Sequence, residues 1–245
     1  MKVIAISNQK GGVGKTTSSI NIGAGLAKKG IKTLLIDLDP QSNMTQALGI
    51  EDPEYTINGL LFHKQKLAPY GILDHLALIA CDRSFSNFDK QAQDKLQREF
   101  ILKKAVEGLK EQYDYILLDC PPALGLITIN AFSFAEQVYT PIEAQKFSIQ
   151  GLIQVFEMID AVREINSSLR MGGIFFTRHN THKILNRDIE EQIRSTYNGQ
   201  VMKTFIRESV ALRESPHANQ DIFSYAPESG GAKDYEQLVE EILTR

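Results

Sequence analysis

The fold of this 245-residue chain follows from one stretch near its start, Lys10-Gly11-Gly12-Val13-Gly14-Lys15-Thr16-Thr17, which comes shortly after the apolar run Val3-Ile4-Ala5-Ile6. Its glycines allow backbone conformations closed to other residues, so that successive N–H groups can turn inward around a phosphate. Lys15 is then placed to put its charge on the β- and γ-phosphates, and the Thr16 hydroxyl to bind Mg²⁺. The helix that begins there directs its positive end at the same anion. The octet therefore predicts a nucleoside-triphosphate site between a strand and a helix.

The surroundings of the octet support this interpretation. A helical pattern of apolar residues follows it, and Gly30 is a plausible end to that helix. The usual phosphate-loop pattern has glycine at position 9, where this chain has Gln9, and the chain carries the additional Lys10 at the loop entrance. A glycine-rich turn alone could be a plain strand-to-helix connection. Strand, lysine spacing and helix together predict that residues 10–17 bind a nucleotide.

Two carboxylates follow the second apolar run, in the segment Leu34-Leu35-Ile36-Asp37-Leu38-Asp39-Pro40-Gln41. Open parallel sheets place their ligands at the carboxyl ends of the strands, where these acids should lie. Taken alone, the two acids could simply cap a turn before the next helix. Beside a phosphate loop, we expect Asp37 to support the water shell of the metal and Asp39 to orient or activate the attacking water.

A third motif is Tyr115-Ile116-Leu117-Leu118-Asp119-Cys120-Pro121-Pro122, a buried strand that ends in an acid. It resembles a Walker B strand, whose carboxylate reaches Mg²⁺, often through water. The two prolines stiffen a loop that could sense the γ-phosphate. A buried strand that ends in an acid is common in proteins. Together with the two preceding motifs, however, it supports the prediction of a nucleotide site.

Apolar runs alternate with helical patterns along the whole chain. The predicted strands are 3–7, 33–37, 76–80, 115–118, 137–140 and 172–176, and helix-compatible segments lie near 17–29, 91–110, 124–135, 148–168 and 183–197. Repeated strand-then-helix order predicts an α/β fold with a doubly wound, mostly parallel sheet flanked by helices. We find no linker or repeat, so we expect residues 1–245 to form a single domain. The stretch 51–69 is the least periodic.

Composition narrows the function classes. A formal net charge of -3 argues against a uniformly basic nucleic-acid coat, though not against a local basic patch. Two cysteines, Cys81 and Cys120, are too few for a disulfide framework and suit a reducing compartment. No apolar run approaches membrane-spanning length, and Met1-Lys2 leads directly into the first strand. We therefore expect a soluble, cytoplasmic protein.

Taken together, these motifs resemble the ParA/Soj family of DNA-partition ATPases, within the deviant Walker A group of P-loop NTPases that also contains MinD. The octet with its early lysine, the segment 37–41 and the segment 119–122 carry the resemblance. It continues through Leu126-Ile127-Thr128-Ile129-Asn130-Ala131, Gly151-Leu152 and Gly230-Gly231-Ala232-Lys233-Asp234-Tyr235, and so covers nearly the whole chain.

The resemblance implies a switching cycle. In this family two ATP-bound subunits form a homodimer, and the residue that matches Lys10 reaches the nucleotide of the partner. The dimer binds DNA without sequence preference, and a ParB-type centromere-binding protein triggers hydrolysis and release. The resemblance thus implies a slow ATPase that uses ATP and Mg²⁺, with Lys10, Lys15 and Asp39 as catalytic residues and Thr16, Asp37 and Asp119 at the metal. It also implies association with the nucleoid.

Recognition of DNA and of the base is where this chain departs from its relatives. The family commonly has Ile-Pro-Arg-Asn-Val-Arg-Leu where this chain has Ile206-Arg207-Glu208-Ser209-Val210-Ala211-Leu212. Glu208 therefore replaces an arginine associated with DNA and would repel phosphate, while Arg207 and Ser209 replace residues near the nucleotide base and are expected to contact ATP. The basic residues expected to contact DNA are Arg178, His182, Lys183, Arg207 and Arg213, because phosphate neutralisation gives sequence-independent, salt-dependent affinity.

Two other functions remain open. A MinD-like membrane-positioning ATPase should end in an amphipathic helix with a basic face, whereas the last helical pattern here carries Glu236, Glu240 and Glu241 opposite its apolar stripe. A metabolic ligase of the dethiobiotin synthetase type shares the phosphate loop, but would form a small-molecule pocket and would not need Lys10. The chain has no Asn-Lys-x-Asp motif of the kind with which GTPases bind guanine.

Overall fold

The computed structural model describes residues 1–109, 111–145, 148–179 and 184–245. Within these ranges, seven strands form one sheet in the order β3-β4-β2-β5-β1-β6-β7. The strands are β1 (Lys2–Ile6), β2 (Thr33–Asp37), β3 (Tyr70–Leu73), β4 (Leu76–Ile79), β5 (Tyr115–Asp119), β6 (Gln137–Ile142) and β7 (Arg170–Phe176). Every pairing is parallel except that of β3 with β4. The doubly wound, mostly parallel α/β fold is confirmed.

Helices cover both faces of this sheet. They are α1 (Lys15–Lys28), α2 (Asn43–Ala47), α3 (Ile57–Phe62), α4 (Phe88–Ala92), α5 (Ile101–Val106), α6 (Leu126–Phe134), α7 (Ser148–Val162), α8 (Ile184–Thr196), α9 (Val210–Glu214), α10 (Ile222–Tyr225) and α11 (Gly230–Leu243). Across the part of the chain that the structure describes, none of them is long and apolar enough to cross a membrane.

Strand β1 shows why the sequences of the central strands are continuous apolar runs. Its successive side chains point to opposite faces, so that Val3 and Ala5 join one hydrophobic cluster while Ile4 and Ile6 join the other. The first cluster includes side chains of α5, α6 and α7, and the second includes side chains of α1 and α11. Because helices cover both faces of the sheet, this strand has no polar side, which is typical of parallel sheets.

Strand register brings the predicted acids together. Asp37 and Asp119 are paired residues in the register of β2 with β5, and Ile6 is opposite Asp119 on the other side of β5. The carboxyl ends of β1, β2 and β5 therefore meet at one edge of the sheet, where the octet begins α1. This edge is the location that the sequence predicted for the site.

The structure differs from the sequence-based expectations in several elements. Strand β3 was not predicted, because it is a four-residue antiparallel edge strand with alternating exposure. The helix expected over 91–110 is interrupted, since α4 ends at Ala92 and Gln97 has a φ of 54°. Helix α7 ends at Val162, before the expected 168, and the weakly periodic stretch 51–69 contains α3, which the side chain of Thr56 caps.

Candidate nucleotide site

The phosphate loop is formed by glycines in conformations that other residues adopt at a cost. Gly12 has a φ of 76° and Gly14 a φ of 85°, both in the left-handed region. Gly14 occupies the N-cap position of α1 and has no side chain to cap it, so the first amide groups of α1 are available to an anion. The predicted strand, loop and helix are thus all present.

Lys15 lies inside this loop with little exposure. Its Nζ donates a hydrogen bond to the backbone oxygen of Lys10 over 3.2 Å. Burial lowers the pKa of Lys15, and the nearby charge of Asp119 opposes that shift. An ammonium group that is poorly hydrated and has few partners is stabilised when a phosphate arrives.

Asp119 accepts hydrogen bonds from two hydroxyl groups of α1. Thr16 Oγ1 donates to its Oδ2 over 2.8 Å, and Ser19 Oγ donates to its Oδ1 over 2.9 Å. Burial, with the neighbouring charge of Asp37, raises the pKa of Asp119 to about 7. Sequence reasoning missed Ser19, although its place one helical turn after Thr16 was a usable signal.

Mg²⁺ fits the donors found here. A threonine hydroxyl and a carboxylate, 2.8 Å apart, are the hard oxygen ligands that Mg²⁺ prefers, and phosphates and water complete its shell in such sites. Two buried acids with raised pKa values also favour a compensating cation. Among the described residues, no group of three or more His, Cys, Asp or Glu side chains could hold a metal ion.

Asp37 holds the segment that follows β2. Its Oδ2 accepts from the backbone N of Thr45 over 3.0 Å and from Thr45 Oγ1 over 2.7 Å, and its Oδ1 accepts from the backbone N of Asp39 over 3.1 Å. Burial raises the pKa of Asp37 to about 6. These bonds hold the backbone of Asp39 and of Thr45, so the geometry assigns Asp37 an orienting part, and its expected support of the metal shell stays a prediction.

Asp39 is the acid that faces the cleft. It lines the cavity over the phosphate loop together with Lys15 and Thr16. Its Oδ1 accepts a hydrogen bond from the backbone N of Gln41 over 2.9 Å, which fixes one oxygen and leaves the other available. A carboxylate held in this way is suited to orient a water beside a bound phosphate.

Lys10 is held by residues of its own chain. Its Nζ donates to Gln145 Oε1 and lies 3.7 Å from Glu143 Oε2, and Arg178 Nη1 lies 3.1 Å from Glu143 Oε1. The Glu143 side chain is only 10% exposed, and it faces these two cations at the rim of the cleft. Nothing in the local sequence pattern indicated Glu143, because it is 133 residues away from Lys10 in the chain.

A second cavity of about 350 Å³ adjoins the phosphate loop. It shares Gly14, Thr17, Arg178 and Pro216 with the phosphate cleft, so a nucleotide could occupy both. The other residues that line it are Thr177, Ile206, Arg207, Glu208, Ser209, Leu212, Arg213 and Tyr235. We call this cavity the nucleoside pocket. Arg207 and Ser209, which were expected near the base, both line it.

The basic residues expected to contact DNA have varied placements. Arg178, Arg207 and Arg213 all line the nucleoside pocket, while their side chains remain 57%, 53% and 60% exposed. This placement favours a role beside the nucleotide for Arg178 and Arg207, and their contact with DNA stays a prediction. His182 and Lys183 lie outside the described residues.

Comparisons with known proteins agree with this geometry. Residues 1–171 match a protein-family model, AAA_31, described as an AAA domain. The chain is 38% identical to the chromosome-partitioning ATPase Soj of Treponema pallidum (strain Nichols), with 100% of this chain and 98% of that protein covered. It is 36% identical to the sporulation initiation inhibitor protein Soj of Bacillus subtilis (strain 168), with 98% of each covered.

Two solved structures show the same fold with nucleotide bound. Cobyrinic acid a,c-diamide synthase from Mycobacterium smegmatis, with bound ADP and magnesium, has a TM-score of 0.86 at 27% identity and covers 99% of this chain and 94% of that one. A putative plasmid partition protein from Borrelia burgdorferi B31, bound to AMPPNP, has a TM-score of 0.85 at 27% identity and covers 99% and 98%.

Proposed function

The chain belongs to the Soj/ParA family of chromosome-partitioning ATPases, and we propose that ATP binding and hydrolysis switch it between a DNA-bound homodimer and a released form. As an ATPase of this family it uses ATP with Mg²⁺. One observation supports the proposal most strongly. The glycine loop and the hydrogen-bonded pair Thr16–Asp119 lie together at one edge of the sheet, and Lys10 lies at the rim of the same cleft.

Each residue of the phosphate cleft has a distinct part in hydrolysis. The loop amides and Lys15 bind the β- and γ-phosphates and stabilise the charge that develops on them. Thr16 and Asp119 would hold Mg²⁺, which would offset further negative charge when bound. Asp39 orients the attacking water, while Asp37 fixes the backbone that carries Asp39.

Lys10 completes the site across a dimer interface. In the single chain its ammonium group is held by Gln145 and Glu143, at the rim and 36% exposed. When a second ATP-bound subunit docks, Lys10 leaves these partners and binds the phosphates of that subunit. The γ-phosphate therefore stabilises the dimer only before hydrolysis, which is the differential contact that a switch requires.

DNA and a centromere-binding partner of the ParB type are the proposed effectors. Basic side chains of the dimer neutralise phosphates without reading sequence, so affinity should fall steeply as salt rises. Glu208 opposes this binding near Arg207 and Arg213, and the DNA surface therefore includes residues beyond that segment. The protein works in the cytoplasm on the nucleoid.

A co-sedimentation assay with random duplex DNA tests the proposal. We expect the chain to sediment with DNA in the presence of ATP and Mg²⁺, and to stay in the supernatant with ADP or without nucleotide. Lys15→Ala should stay in the supernatant under all three conditions. Equal sedimentation in ATP and ADP, or none at low salt, would contradict the proposed switch.

A small-molecule ligase is the second candidate. It is favoured by the likeness to cobyrinic acid a,c-diamide synthase and by the cavity beside the phosphate loop. A ligase would hydrolyse ATP quickly only with an acceptor substrate, and it would not need Lys10. ATP-dependent binding to DNA, with turnover that DNA and a partner raise, would exclude this candidate.

A further inference from the structure

The planar guanidinium group of Arg207 lies at the nucleoside pocket in a fixed orientation. Its Nε donates to Asp234 Oδ2 over 2.8 Å and its Nη2 donates to Asp234 Oδ1 over 2.7 Å. The backbone N of Arg207 donates to the same Oδ2 over 2.9 Å. Asp234 is only 4% exposed. A guanidinium held by two parallel bonds to a buried carboxylate keeps one plane and one orientation.

Gly230 leaves the space that the Arg207 guanidinium group occupies. A Cβ atom added at Gly230 would lie 2.7 Å from Arg207 Cδ, 2.8 Å from its Nε and 2.9 Å from its Cζ. The guanidinium therefore lies directly against the bare backbone at the start of α11. The side chain is still 53% exposed, and Arg207 lines the pocket, so part of its exposed area faces the pocket.

Most other polar side chains of the pocket already have partners in the chain. Thr177 Oγ1 donates to the backbone oxygens of Val13 and Ile142, and the hydroxyl of Ser209 caps α9. Arg178 is bound to Glu143. Among the described residues that line the pocket there is no Asn or Gln, the amides that pair with the N6 and N7 edge of adenine.

Glu208 does not exclude guanine. It is half exposed and lies 3.9 Å from Arg213. A carboxylate there can accept one hydrogen bond from the exocyclic amine of adenine, or two from the N1–H and the exocyclic amine of guanine. The pocket thus offers a flat cationic face but no side chain that selects adenine over guanine.

We propose that the guanidinium plane of Arg207, held by Asp234 and Gly230, stacks on the nucleobase and makes this site tolerant of guanine as well as adenine. Stacking on a cationic plane uses the π-face that every base presents, and so supplies affinity without reading the base edge. The inference rests on the proposed function, since it places the triphosphate in the phosphate loop and the nucleoside in this pocket.

Calorimetric titration of the full chain with Mg²⁺ and the β,γ-imido analogues of ATP and GTP tests this, with inorganic triphosphate as the base-free probe. We expect the two analogues to bind within about fivefold of each other. Arg207→Ala should weaken both by about tenfold, the loss of one stacking contact, and leave triphosphate binding unchanged. Arg207→Lys should behave like Arg207→Ala, because it keeps the cation for Asp234 but loses the plane.

Lys233→Ala is the matched control. It removes a cation from α11 that lies outside the pocket lining, is 59% exposed and is 3.8 Å from Glu228, so it should change neither affinity. A preference for the ATP analogue above about fiftyfold, roughly 2.3 kcal/mol, or normal binding by Arg207→Lys, would overturn the inference and leave the proposed function standing. Failure of the wild-type chain to bind either analogue or triphosphate would overturn both.

Discussion

The loop at residues 10–17 presents backbone amides to its cleft, whereas the nucleoside pocket presents side chains, some of which are held by partners elsewhere in the chain. In the loop, Gly12 and Gly14 set the geometry through their left-handed conformations. In the pocket, Arg207 depends on Asp234, which lies 27 residues further along the chain. The local sequence therefore determines the phosphate loop, which is the phosphate half of the site. The nucleoside pocket, which is the nucleoside half, depends on tertiary contacts.

This difference has a functional meaning. The phosphate half contains the features that a triphosphate requires, namely inward amides, a buried lysine and an acid beside a threonine hydroxyl. The nucleoside half can vary as long as it gives the base a surface. The four experiments below, ordered from the largest expected effect to the smallest, compare the two halves.

Lys15→Ala should produce the largest effect. Removing a buried cation that binds the phosphates should weaken ATP binding between about thirtyfold and several thousandfold, as for other desolvated charge pairs. Titration calorimetry with AMPPNP measures this change. The control is Lys28→Ala, which lies on the same helix with a 55% exposed side chain and should bind normally. Normal affinity in Lys15→Ala would remove the phosphate-loop assignment.

Asp39→Ala should separate binding from chemistry. Loss of a group that orients the attacking water should lower kcat by about a hundredfold to ten thousandfold while ATP still binds. A phosphate-release assay and AMPPNP titration measure the two quantities. Asp39→Asn keeps the shape without the charge and should lose activity as well. Wild-type turnover in either variant would exclude this role for Asp39.

Glu143→Gln should promote dimer formation. The substitution weakens the contact that holds Lys10 on its own subunit, so the dimer should form at about two- to fivefold lower concentration, as expected for a partly exposed ion pair. Sedimentation velocity with AMPPNP gives the dissociation constant. Glu157→Gln, on the exposed side of α7, is the control. Weaker or unchanged dimerisation in Glu143→Gln would show that this contact does not restrain Lys10.

Tyr235→Phe should have the smallest effect. The Tyr235 hydroxyl lies 3.0 Å from Ser18 Oγ and joins α11 to α1 behind the nucleoside pocket. Loss of one buried hydrogen bond costs about 1 kcal/mol, or about 2–4 °C in Tm for a chain of this size. Thermal unfolding measures the shift. Tyr225→Phe removes an exposed bond to Glu214 and should shift Tm by less than half as much. An equal shift in both variants would contradict the link.

Prediction from sequence succeeded where spacing along the chain determines geometry. The octet, the segment 37–39 and Asp119 could be located because each lies at or shortly after the carboxyl end of a buried strand, and parallel strands end at one edge. Prediction failed where the partner is distant: Glu143 faces Lys10 across 133 residues, and Arg207 meets Asp234 across 27. Strand β3 was missed because a short edge strand with alternating exposure carries a weak apolar pattern.

The mass of the full chain in solution with AMPPNP and Mg²⁺ tests the central claim most directly. By light scattering, we expect the wild-type chain to have about twice the 27.5 kDa of one subunit, and Lys10→Ala to have the mass of a single subunit although it still binds AMPPNP. A wild-type chain that stays monomeric at saturating AMPPNP, or a Lys10→Ala variant that dimerises normally, would contradict the account.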